Sequence, residues 1–262
     1  MCGVRALLNE KRPLIVKADN RIIAEENRIR VQGRACMTLM PDFFTVEIYN
    51  LSDADLSTLR DAAHLSVAGE KGSVMVDGEI EDVYFRSVES NRVTMISVSD
   101  GKSFWDATVE KTIASGASIQ TAIRNVVDSI PIGSILAQDA FLARGQTFSG
   151  RQAEAVRMMA KSLNARAFVA HGTLHIVEKG KTEYQLDIDP NEVIIEPKIA
   201  QGIMVLKTIV RGYPVGIIAQ YGGSEYRLAA QSIDADNMNG AWDTELLLVS
   251  EIALDTYGME GG

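Results

Sequence analysis

Val76-Asp77-Gly78-Glu79-Ile80-Glu81-Asp82-Val83-Tyr84-Phe85-Arg86-Ser87-Val88, a polar turn, then Val93-Thr94-Met95-Ile96-Ser97-Val98-Ser99-Asp100, closes a unit that opens with an apolar strand at Leu65 and passes through a glycine turn. The same order returns between Gly202 and Glu251 as Ile203–Arg211, Gly216–Tyr221, Gly222-Gly223, Glu225–Ile233, a polar turn and Thr244-Glu245-Leu246-Leu247-Leu248-Val249-Ser250-Glu251. Short runs of this kind, bounded by glycines and polar turns, read as β-strands. A chain with two copies of one small β-unit can build a ring from half as many subunits as units.

The segments before the first copy are also strand-like. Leu14-Ile15-Val16 and Ile22-Ile23 flank an Ala18-Asp19-Asn20 turn, and Ile29–Gln32 and Phe44–Tyr49 alternate with period two. After Tyr49 the period changes. Ser52 is placed to cap, acids fill the first turn, and Leu56, Leu59 and Ala63 share one helical face, which predicts a short helix.

Between the copies the pattern turns helical. Ser118–Ser129 carries Ile119, Ala122, Ile123, Val126 and Val127 at helical spacing and stops before Ile130-Pro131. Ser149–Leu163 predicts a second helix, with Ser149 as its cap and the preceding glycines fitting a helix start. A hairpin follows, Ala165–Ala170 and Thr173–Glu178, joined at His171-Gly172. The fold class expected is α+β, mainly β: two small antiparallel tube-like β-barrels with an α/β insert domain between them, because closure removes exposed strand edges. The expected domains are 1–108 (first barrel), 109–187 (insert) and 188–262 (second barrel), with a Gly- and acid-rich tail, Thr256–Gly262, that is mobile unless a partner binds it.

Composition narrows the function classes. The chain has 262 residues, 46% hydrophobic and 23% charged, which suits a globular protein with more than one core. No window approaches the ~18 apolar residues of a membrane span, and Met1–Glu10 lacks the order of a signal peptide. Cys2 and Cys36 read as a free thiol and a small core residue. A net charge of −9 and no basic run argue against wrapping nucleic acid, yet suit a surface past which DNA slides without sticking.

No constellation of residues rises to an active site. His64 reads as a boundary residue, and His171 and His175 are separated by a tight turn that denies them the helical alignment of a zinc pair. Asp234, Asp236, Asn237 and Asn239 have the composition of a calcium loop without its terminal Glu and read as a solvated turn. Gly145–Gly150 supplies no nucleophile elbow, and Gly69-Glu70-Lys71-Gly72-Ser73 precedes a strand where a phosphate loop precedes a helix. Glu79, Glu81 and Asp82 have the residue types of a glycosidase pair but read as a solvated strand face. The expectation is no catalytic residue, no metal and no cofactor.

The ordered phrases resemble a known family. Phe44-Thr45-Val46-Glu47-Ile48-Tyr49-Asn50-Leu51-Ser52, the short helix, Val76-Asp77-Gly78-Glu79-Ile80 and Val98-Ser99-Asp100-Gly101 are similar to the first barrel of phage tail baseplate hub proteins of contractile tails. Gln152–Leu163 with Asn164-Ala165-Arg166 and the Ala170–Ile176 hairpin resemble that family's insert, and Ile194–Val205 resembles the approach to its second barrel. The resemblance implies a homotrimer whose six barrels form a pseudo-sixfold ring. Such a ring joins a hexameric tail tube protein to a trimeric central spike protein, contacts other baseplate or tape-measure proteins, and lets DNA pass through its lumen without specific binding. It also implies a place in the virion tail, after assembly in the host cytoplasm, with no membrane insertion. The rival readings are a tail-tip cell-wall hydrolase, which would want an acid pair or metal cluster, and a tail adaptor or carbohydrate-binding module, which would lack the duplicated unit.

Overall fold

A computed structural model describes residues 12–69, 72–238 and 240–257. Among the described residues strands hold 53% and helices 18%, so the chain is mainly β. The first part runs β1 (Ile15–Ala18), β2 (Arg21–Ala24), β3 (Ile29–Cys36), β4 (Asp42–Tyr49), α1 (Asp53–Asp61), β5 (His64–Ala68), β6 (Val74–Val88), β7 (Asn91–Asp100) and α2 (Lys102–Asp106). The middle part runs β8 (Thr108–Ile113), α3 (Ile119–Val126), β9 (Ile132–Leu136), β10 (Gln146–Arg151), α4 (Gln152–Ser162), β11 (Ala165–Ala170) and β12 (Thr173–Glu178). The last part runs β13 (Gln185–Asp187), β14 (Val193–Ala200), β15 (Ile203–Ile209), β16 (Ile218–Tyr221), β17 (Ser224–Asp236), β18 (Trp242–Val249) and α5 (Glu251–Tyr257).

Strand pairing locates the duplication. The first part is ordered β3-β4-β7-β6-β5 and the last part β14-β15-β18-β17-β16, so both place their five strands in the same spatial order. Even the irregularities coincide: β6 bulges between Ile80 and Asp82 against β7, and β17 between Leu228 and Ala230 against β18. Following the registers gives Phe44 and Met204, Ile96 and Leu246, and Ile80 and Leu228 as equivalent core positions.

This corrects the alignment read from sequence, which set the Leu65 strand beside Ile203–Arg211. The counterpart of β15 is β4, and that of β5 is β16. Helix α1 separates β4 from β5, whereas the second unit spans the same step with residues 210–217, so the inserted helix displaces the first strand from the recognisable run. The sequence also divides β6 at Gly78, where the structure has one continuous strand. Glycine is needed there because a Cβ would fall 2.3 Å from the Ser99 carbonyl oxygen, a close backbone approach rather than a turn.

The two units are parts of one antiparallel sheet, joined where β3 pairs with β17. Among the described residues the pairings form an open path from β14 to β2, with no closed barrel. One sheet face is apolar and buried, through Ile29, Val31, Phe44, Val46, Ile48, Ile96, Val98, Ile233, Leu246 and Leu248. The middle part has its own core around Phe104, Ile123, Phe148, Val156 and Ile176. Ser52 and Ser118 cap α1 and α3 by accepting from the N–H groups of Asp55 and Thr121.

The hairpin read at His171-Gly172 is β11 and β12, with both turn residues at positive φ. One helix start differs from expectation. Ser149 lies in β10, paired with Glu110 of β8, and α4 begins at Gln152 after Arg151, which makes no side-chain cap bond. The glycines of 145–150 serve a strand whose partner is remote in sequence. Cys2 and the end of the tail, Gly258–Gly262, lie outside the described residues, whereas Thr256 and Tyr257 belong to α5.

Candidate assembly surface

The join between the units is built from residues that also looked like a calcium loop. Asp236 is buried and accepts from the Arg28 guanidinium, with a shortest contact of 2.6 Å. Asn237 is buried too; its Oδ1 accepts from the Ile29 N–H at 2.8 Å and its Nδ2 donates to the Asn27 carbonyl at 2.9 Å. Gln32 donates to Asp234 at 3.1 Å across the same pair of strands. The expected solvated turn is therefore corrected: Asp234, Asp236 and Asn237 lock β17 to β3, and desolvation has selected polar groups that satisfy each other. Asn239 lies outside the described residues.

The face opposite the core carries charged groups on six strands, with Phe43, Tyr84 and Val205 exposed among them. Registers place Lys207, Asp243, Glu245, Asp234, Asp236, Arg30, Arg34, Glu47, Glu79, Asp82 and Arg86 on it, seven acids against four bases. Ion pairs tie parts of it together, Lys207 to Asp243 at 2.9 Å, Arg86 to Glu47 at 3.0 Å and Arg30 to Asp234 at 3.6 Å. Glu81 sits at the bulge, accepting from the Ser99 hydroxyl and paired with Lys102. The acids considered for glycosidase chemistry thus belong to a strand face and its bulge.

Several strands have an open edge, β2 at the far end of the path among them, and two of these edges belong to the repeated units. Among the described residues β14 pairs only with β15, and β6 from Asp82 to Val88 pairs only with β7. Large apolar groups stand exposed on both: Phe85 and Tyr84 on β6, Ile194, Ile195 and Ile199 on β14. The Arg60 guanidinium lies 5.5 Å from the centre of the Phe85 ring. An open edge bearing exposed hydrophobics is a site for pairing with another chain.

The middle part is docked on both units. Asp100 accepts from the His171 and Gly172 N–H groups, each at 2.7 Å, and the Val169 N–H donates to the Thr38 carbonyl at 3.0 Å. On the other side Arg166 bonds Glu251 at 3.1 Å and Asp255 at 2.5 Å, while buried Arg227 donates through Nε to Glu251 at 2.7 Å. Asp100 stands opposite Asp42 in the β4–β7 register. Burial first, and then the Asp100 charge, push the Asp42 carboxyl up to about 8 against the opposing pull of the Cys36 N–H. Burial likewise raises Asp100 to about 6, although the Gly172 and His171 N–H groups favour its ionised form. These carboxyls hold the fold together at a turn rather than lining an open cleft.

His64 and His171 both interact electrostatically with the Asp77 carboxylate, and His171 also with His175. His64 opens β5 with Nε2 3.2 Å from Asp77, His171 forms the β11–β12 turn, and His175 stacks on Phe168 with Nδ1 3.0 Å from the Ser134 hydroxyl. Burial lowers the pKa of both His171 and His175. Among the described residues no group of three His, Cys, Asp or Glu is placed to hold a metal ion. No helix among them is long and apolar enough to cross a membrane.

At the level of sequence, neither a protein-family model nor a curated protein matches the chain. Solved structures do. A tail protein from Neisseria meningitidis superposes with a TM-score of 0.64 at 10% identity, covering 93% of this chain and 98% of its own. The 43 kDa tail protein of prophage MuSo2 from Shewanella oneidensis gives 0.65 at 11% identity, with the same coverages of 93% and 98%. A component of the Escherichia coli type VI secretion system, described as structurally similar to the T4 tail proteins gp27 and gp5, gives 0.59 at 6% identity over 89% of this chain and 76% of its own. The chain has the fold of these tail proteins and of the type VI component.

Proposed function

We propose, from that shared fold, that this chain is a structural hub of a phage tail baseplate and catalyses nothing. Three copies form a ring in which six units, two tube-like barrels from 1–108 and 188–262 of each chain, present pseudo-sixfold symmetry to a hexameric tail tube and threefold symmetry to a central spike. The inserts, 109–187, ride outside the ring and meet other baseplate or tape-measure proteins. DNA passes through the lumen beside the acid-rich sheet face, and the assembled hub resides in the virion tail.

The observation that carries this reading is the repetition of five strands in the same order, with matching bulges, within one sheet. A repeat within the chain doubles the rotational order of any ring that the chain closes, because each internal join can substitute for an intermolecular one. The purified protein is expected to have the mass of three chains of 28.5 kDa, about 85 kDa, in native mass spectrometry and light scattering. A single-chain mass, unchanged as concentration rises, sinks the ring.

A further inference from the structure

We propose that two copies of the chain join through their open sheet edges, β6 of one pairing antiparallel with β14 of the next, Phe85 opposite Ile199 and Tyr84 opposite Ala200. The inference rests on the ring reading for the number of copies, and on the chain's own internal join for its geometry. The equivalent of β6 in the second unit is β17, and β17 carries β3 along the edge that β6 leaves open. The equivalent of β3 is β14, whose outer edge is open. Repeating the internal join between chains therefore brings β14 onto β6.

The register follows from the internal one. Ile233 faces Gly33 and Ser232 faces Arg34 across β17 and β3. The bulges and the shared neighbour strands make Phe85 equivalent to Ile233 and Tyr84 to Ser232, while the β3–β4 and β14–β15 registers make Ile199 equivalent to Gly33 and Ala200 to Arg34. Accessibility agrees position by position. Ile233 is 3% exposed and Phe85 41%; Ala235 is fully buried and its equivalent Ser87 is exposed. The residues that β3 covers on β17 have no neighbouring strand on β6, where only the Arg60 guanidinium lies over Phe85, and Ile199, 60% exposed, stands at the other edge.

Backbone polarity agrees as well. The Ile29 carbonyl accepts from the Asn237 N–H and the Met37 N–H donates to the Ala229 carbonyl, so odd-numbered residues of β3 turn their peptide groups toward β17. Gly33 and Ile233 then form a hydrogen-bonded pair, and Phe85 and Ile199 inherit that role. Two positions make the outer join weaker than the inner one. Pro197 falls opposite Ser87 and offers no N–H, and it lies where the β14 register shifts. Lys198 falls opposite Arg86, whose charge is already met by Glu47. A shorter join suits chains that fold singly and associate afterwards.

Cysteine cross-linking tests the register. Tyr84→Cys with Ala200→Cys, in a chain that also carries Cys2→Ser and Cys36→Ala, places thiols at a non-hydrogen-bonded pair, where Cα atoms stand about 4.5 Å apart and within reach of a disulfide. Mild oxidation is expected to give covalent two-chain and three-chain species on a denaturing gel, each lost on reduction. Tyr84→Cys with Ile199→Cys, shifted by one residue onto opposite sheet faces, is expected to give at least tenfold less. A three-chain mass in light scattering without the 84–200 link overturns this edge pairing and leaves the ring reading standing. Equal linking by both pairs overturns the register, and single chains only overturn ring and edge together.

Discussion

Asp42 and Asp100 face each other across β4 and β7, both buried, and both hold their protons more tightly than a carboxyl in water. Arg34 lowers the Asp42 value, while Asp77 raises and His64 lowers that of Asp100. A raised pKa in the folded chain means that the folded state binds more protons than the unfolded one over the interval between the two values. Below about pH 4 both states are protonated and nothing is lost; from there to about 8 the unfolded Asp42 ionises first, so stability falls; above that the loss is constant. The Asp100 contribution ends at about 6. Asp42→Asn, which retains an acceptor for the Cys36 N–H, is expected to flatten this slope, and its unfolding free energy from urea titration should gain on the parent by more at pH 8.5 than at pH 5, by on the order of 2–5 kcal/mol. Parallel stabilities at the two pH values would remove Asp42 as the cause. None of this was legible in the sequence, where Asp42 follows a proline in an ordinary turn and Asp100 looks like the end of a strand. Both depend on a register between strands more than fifty residues apart.

Among the elements, those read correctly from sequence are the ones stabilised locally. Helices α1 and α3 have a serine cap and an apolar face within one turn of it, and β11–β12 has its own two-residue turn. Those misread depend on distant partners: β10 is a strand only because β8 lies beside it, and the repeat was aligned from Leu65 because only pairing shows β4 in the place of β15. The loop 210–217 shows the same dependence and can be tested. A Cβ on Gly212 would lie 1.7 Å from the Val74 carbonyl oxygen and 2.4 Å from its carbon, both backbone atoms at the start of β6. The loop of the second unit therefore runs against the first unit at a distance only glycine allows. Gly212→Ala is expected to cost about 2–4 kcal/mol in chemical denaturation, because neither backbone can yield without moving a strand. Gly145→Ala, whose nearest atom is 3.4 Å away, should change stability by less than about 0.5 kcal/mol. Similar losses at both sites would refute the close packing.

At the scale of the whole molecule, the surface open to assembly was only half legible. The duplicated unit announced a ring, but nothing in the sequence marks Tyr84–Ser87 and Pro197–Ala200 as open edges; they stand out as such because β17 and β3 show what an occupied edge looks like. Charge was legible from the start, and the sheet refines where it lies. The chain carries −9 overall, and the charged face continues across the internal join with seven acids and four bases. A lumen that bound phosphates through Lys and Arg would release counterions, grip DNA and oppose its passage. An acid-rich wall with three of its four bases, Arg30, Arg86 and Lys207, already in ion pairs offers little such release. The expected outcome is that the protein leaves the mobility of a short DNA duplex unchanged at 50 mM salt, where electrostatic binding is strongest. Substituting Asp82, Asp234, Asp243 and Glu245 by lysine, on exposed or half-buried positions of that face, is expected to create retention that fades as salt rises toward 200 mM. Salt-sensitive retention by the unmodified protein would mean that bases elsewhere dominate the surface DNA meets, and the acidic face would lose its place in transport.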